Sequence, residues 1–112
     1  MTPPKWVPDA GEVVWIHFSP QAGHEQAGHR PAIVLSDKYY NNRRGMMICV
    51  PMTTKAKGYP FEISIAGATP SVALADQVKN VDWRARGATS KGWVTAQELS
   101  DVRQMAATLI GV

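Results

Sequence analysis

Between positions 23 and 31 the chain reads Gly23-His24-Glu25-Gln26-Ala27-Gly28-His29-Arg30-Pro31. A carboxylate, an imidazole and a guanidinium fall close together here, and the glycines let the backbone turn them toward one another. Glu25 can take a proton, His29 can take or give one, and Arg30 can bind a phosphate through two parallel hydrogen bonds. Such a set suits attack by a ribose 2′-hydroxyl on its own phosphate. That reaction needs a base for the hydroxyl, donors for the developing negative charge and a proton for the departing 5′-oxygen. On the residues alone, a structural Arg–Glu pair in a surface loop remains the other reading.

Other chemistries find little footing. Metal centres need clustered His, Cys or carboxylates, and His17, His24, His29 and Cys49 follow no ligand spacing, so no metal and no cofactor are expected. There is no glycine-rich phosphate cradle and no serine-nucleophile elbow. Cys49 sits in an apolar run and reads as a buried, inert thiol. A single cysteine excludes an intramolecular disulfide. No apolar run approaches the ~20 residues of a membrane span, and the first residues carry no apolar signal core.

The elements that must position these groups read as mainly β. At 112 residues, 45% hydrophobic and 19% charged, the chain is expected to form one domain over 1–112. Nine Gly and eight Pro argue against an all-helical protein. Strands are expected at 12–18, 31–36, 46–52, 61–65, 72–75 and 78–83, from alternating or continuous apolar runs. Pro51 should mark a bulge, an edge or a strand end. Asp37 should cap a short helical turn over 38–44 that Gly45 ends. Residues 84–93 read as a basic turn region. Thr95-Ala96-Gln97-Glu98 is a capping box. Behind it Leu99, Val102, Met105, Ala106, Leu109 and Ile110 recur at helical spacing, with Gly111 as the stop. Five to six short strands and one amphipathic helix make a β-rich α+β fold. Its simplest closure is a small half-open barrel with the C-terminal helix over one end.

Net charge is +3, and its distribution is uneven. Arg30, Lys38, Arg43, Arg44, Lys55 and Lys57 stand against Asp37 alone; Lys79, Arg84, Arg86 and Lys91 stand against Asp82. If these two clusters converge, they form a face for a polyanion; otherwise they are solvated loops.

In order along the chain come Val7-Pro8-Asp9, Glu25-Gln26-Ala27-Gly28-His29-Arg30-Pro31 and Tyr40-Asn41-Asn42. Then follow Cys49-Val50-Pro51-Met52-Thr53-Thr54, Lys57-Gly58-Tyr59-Pro60-Phe61-Glu62, Val72-Ala73-Leu74-Ala75-Asp76-Gln77-Val78-Lys79 and Trp83-Arg84-Ala85-Arg86-Gly87-Ala88-Thr89. The whole series resembles the MazF/PemK family of toxin endoribonucleases; the departures lie in the N-terminal residues and the last helix. The resemblance implies an SH3-like half-open barrel of the CcdB/PemK type and a cytoplasmic homodimer. It implies metal-independent cleavage of single-stranded RNA, such as mRNA, at a short ACA-like site, leaving a 2′,3′-cyclic phosphate and a 5′-hydroxyl. It also implies a cognate MazE-like antitoxin whose acidic segment blocks the basic groove, and no membrane partner. Carried over by residue, Glu25 is the general base, Arg30 the acid or transition-state stabiliser, Thr53 the hydroxyl that holds the phosphate, and His29 a supporting histidine. Lys57, Lys79, Arg84 and Arg86 become phosphate contacts, with Thr54 beside them. Asp76 and Gln77 become readers of base edges, and Phe18, with Trp15, a stacking surface, although both lie in the first strand and at least one of the two is expected in the core. The same barrel also hosts poisons of DNA gyrase, which bind a protein and cut nothing, and an idle RNA-binding module is a further alternative. Neither needs Glu25, His29, Arg30 and Thr53 together.

Overall fold

The computed structural model describes residues 6–18, 28–67 and 69–112. They form a seven-stranded, curled antiparallel sheet: β1 (Glu12–His17), β2 (His29–Val34), β3 (Met46–Thr53), β4 (Glu62–Ile65), β5 (Ser71–Leu74), β6 (Lys79–Asp82) and β7 (Thr89–Trp93). The strand order is β4-β5-β3-β2-β1-β7, and β6 also pairs with β3. Helix α1 (Lys38–Arg44) links β2 to β3, and α2 (Ala96–Leu109) follows β7. No described helix is long and apolar enough to cross a membrane. The mainly β half-barrel with a C-terminal helix is therefore the architecture expected.

Strand β3 organises it. Its first half, Met46 to Cys49, pairs with β6, whereas Met52 and Thr53 pair with β5. Pro51 falls where the strand changes partner, so its missing N–H interrupts neither ladder on that side. Alternation along β3 feeds two cores. Met47 and Cys49 join Val14, Ile16, Ala32, Val34 and Trp83 on the inner face. Val50 and Met52 join Val13, Ile33, Leu35 and Val102 on the outer face, which α2 covers.

The local signals hold where chemistry is local. The Asp37 carboxylate accepts from the Tyr40 N–H, and Gly45 ends α1 at φ +66. The Thr95–Glu98 capping box is fully formed. The Glu98 carboxylate also accepts from the Ala66 N–H at 2.8 Å, so the start of α2 is tied to the end of β4. These backbone donors hold the Glu98 carboxyl below its usual range. Of the helix's apolar row, Val102 and Ala106 are buried and Leu99 and Met105 pack partly, while Leu109 and Ile110 stay exposed.

One expectation needs correcting. Residues 89–93, read as part of a basic turn, form β7, an edge strand beside β1. Its residues are mostly exposed, and the register shifts opposite Val13/Val14. Such a strand buries no apolar face and so shows no period.

Candidate active site

Arg30 and Thr53 are brought together by strand register. Ala32 pairs with Pro51, Ile33 with Val50 and Val34 with Cys49. The same antiparallel register carried two residues beyond Ala32 and Pro51 sets Arg30 opposite Thr53. Both share the inner face, Arg30 in step with Ala32 and Val34, Thr53 in step with Cys49 and Pro51. A guanidinium and a hydroxyl thus line the same groove. Thr53 is 8% exposed, and its Oγ1 accepts from the Lys55 backbone N–H at 3.1 Å.

They line a groove of about 500 Å³. One wall is the segment Lys55–Glu62, contributing Lys55, Lys57, Tyr59, Phe61 and Glu62; the other is Leu74, Asp76 and Gln77. The first wall has a fixed shape. The Glu62 carboxylate accepts from the backbone N–H groups of Lys57 (3.1 Å) and Gly58 (3.0 Å), and the Tyr59 carbonyl accepts from the Glu62 N–H. Gly58 turns at φ +78, where a side chain would strain the backbone. On the other wall the Gln77 N–H donates to the Leu74 carbonyl, closing the turn that presents Asp76 and Gln77. The arrangement can hold a phosphate against Arg30 and Thr53, supply cations from Lys55 and Lys57, and offer acceptors and an amide to a base edge.

Not every expected residue arrives there. Glu25 lies outside the described residues. At the edge of the described residues His17 pairs with His29, and the Phe18 N–H donates to the Gly28 carbonyl at 2.8 Å. His29 is consecutive with Arg30 in β2 and so points to the opposite face. There its ring stacks on His17 at 4.5 Å and on Trp15 at 5.3 Å, with the Lys91 ammonium 5.7 Å from the Trp15 ring. Phe18 is 3% exposed within the inner core, so its ring is not available to a base; its expected stacking role is withdrawn. Thr54 alternates away from Thr53 and faces a neighbouring hollow with Ala56 and Ser64. Of the two basic clusters, only Arg30, Lys55 and Lys57 of the first line the groove. Lys79 begins β6 opposite Cys49. Arg84 lies over the Trp83 ring at 4.3 Å. Arg86 donates from Nη1 to the His17 carbonyl at 3.0 Å and borders a separate hollow with Met46 and Asn80. Cys49 is inert as expected: burial pushes its thiol up to about 12. Lys55, Tyr59 and Phe61 were missed as site residues, although Lys-x-Lys-Gly-Tyr-x-Phe sets two cations directly before two aromatics.

The half-barrel with this groove is a known class. A crystal structure of MazF from Deinococcus radiodurans superposes with a TM-score of 0.92 at 45% identity, covering 96% of this chain and 100% of that one. The MazE–MazF crystal structure (Form-II) from the same organism gives a TM-score of 0.84 at 39% identity, covering 96% of this chain and 99% of that one. In sequence the chain is 55% identical over 108 residues to the endoribonuclease toxin MazF of Escherichia coli (strain K12), covering 96% of this chain and 97% of that protein. Residues 9–110 match the family model of the PemK-like, MazF-like toxins of type II toxin–antitoxin systems, and the chain belongs to that family.

Proposed function

We propose that this toxin endoribonuclease cuts single-stranded RNA by internal transfer to the 2′-oxygen, in the groove between Arg30 and Thr53. The Glu25 carboxylate takes the proton of the 2′-hydroxyl. The 2′-oxygen then forms a bond to the adjacent phosphorus as the bond from phosphorus to the 5′-oxygen breaks. Arg30 and the Thr53 hydroxyl donate to the phosphoryl oxygens, whose negative charge grows in the transition state. The departing 5′-oxygen takes its proton from water in the open groove, because the His29 ring faces away from it. The products are a 2′,3′-cyclic phosphate and a 5′-hydroxyl, and no metal takes part. Lys55 and Lys57 hold the flanking phosphates, and Asp76 and Gln77 read the bases of a short, ACA-like site. The active form is a cytoplasmic homodimer that stops translation by cutting mRNA, and it is held in check by a MazE-like antitoxin with an acidic segment complementary to the groove.

The observation that supports this reading is that Arg30 and Thr53, on the neighbouring strands β2 and β3, line one groove together with Lys55 and Lys57. The test uses an ACA-containing RNA with a single deoxyribose on the 5′ side of the scissile bond. That strand should bind and stay intact. The all-ribose strand should be cut in EDTA to a product with the mass of a cyclic phosphate. Cutting of the deoxy-substituted strand, or a need for Mg²⁺, overturns the mechanism.

A further inference from the structure

We infer that Tyr59, seated on Phe61, is the stacking platform for one base of the RNA in the groove, a reading that rests on the proposed RNA substrate. The two rings lie 5.1 Å apart and within 12° of parallel. Phe61 is half-buried and anchors the pair, while Tyr59 is 52% exposed although it lines the groove. An exposed aromatic usually costs solvation and gains little. Here one face rests on a partner ring, and the segment around it is closed by the Glu62 carboxylate and the Tyr59 carbonyl. The ring is therefore held in place before any ligand arrives, which lowers the ordering cost of binding. Tyr39, though 72% exposed, has a different setting, on α1 with the Arg43 guanidinium 5.6 Å from its ring.

Single strands are bound by cationic grooves combined with aromatic faces, since every base offers a π-face. Lys55 and Lys57 give cations and Tyr59 and Phe61 aromatic faces on one wall, and Asp76 and Gln77 supply edge-reading groups in the same groove. Stacking on Tyr59 leaves the rim of the base open to hydrogen bonds, so platform and reader act on one nucleotide.

The experiment uses the deoxy-substituted ACA-containing RNA, made with 2-aminopurine at one position at a time. Bound to the wild-type protein, the probe should be quenched at one position. Tyr59→Ala should lower affinity about tenfold or more and abolish that quenching. Tyr59→Phe, which keeps the ring and drops the hydroxyl, should retain both, and equal melting curves show that the loop variants are folded. Affinity within twofold of wild type for Tyr59→Ala, with quenching unchanged, overturns the inference. If Lys57→Ala weakens binding while Tyr59→Ala does not, the platform falls alone. If the wild-type protein leaves the RNA unbound, the groove reading and the platform fall together.

Discussion

Arg30 carries a charge that no accessible pH removes, so its part in the reaction is to meet negative charge rather than to give up a proton. Removing it should slow cleavage about 10²–10³-fold while the melting curve of Arg30→Ala stays at the wild-type position, because the side chain lines the groove and not the core. Activity within tenfold of wild type, measured on the same RNA, would remove Arg30 from the mechanism. Arg30 and Thr53 were legible in the sequence as members of a recognisable series, but their place in one groove was not, since it depends on the register between β2 and β3. The misplacements of His29 and Phe18 have a common physical origin. With β2 taken to start at position 31, His29 and Arg30 lay in a loop, where neighbours are free to converge; inside a strand they face opposite sides. Phe18 follows Val14 and Ile16 at spacing two, and that alternation already pointed its ring at the core.

Helix α2 begins where its sequence says it must, because a capping box is decided within four residues. Thr95→Ala removes the hydroxyl that accepts from the Glu98 N–H. It should cost about 1 kcal/mol, lowering the melting temperature by roughly 4–8 °C for a chain of this size. RNA cleavage below the transition should be unchanged, since α2 packs on the outer face, away from Arg30 and Thr53; a fall in cleavage without a fall in stability would contradict that separation. The strands with a buried face, β1, β2, β3 and β5, were legible from apolar pattern. Strand β7 was not, because Thr89, Ser90, Lys91 and Trp93 are exposed, and it joins β1 by backbone pairing and polar contacts such as the Ser90 hydroxyl donating to the Glu12 carboxylate. Backbone pairing leaves no mark on residue type. Pro51 shows the converse, a sequence breaker tolerated in a central strand because the partner changes there.

For the whole molecule, charge placement matters more than the net +3. Cations at the groove should release counterions when RNA binds, and each phosphate neutralised adds about −0.7 to the slope of log affinity against log salt. Lys55→Ala together with Lys57→Ala should flatten that slope by more than 1, whereas Arg84→Ala, whose guanidinium lies on Trp83, should leave it as it is. Equal slopes for all three proteins would return the Lys55–Lys57 pair to a solvated loop. The partner change in β3 reaches further. One strand supplies Met47 and Cys49 to the inner core and Val50 and Met52 to the outer one, and its last residue is Thr53. Because one strand serves both, losing β3 loosens both cores, so they are expected to unfold in one cooperative transition, seen as coincident melting curves from probes on either side. A protease that cuts within β3 has to wait for that opening, so the unfolding rate sets how long this part of the folded chain resists it.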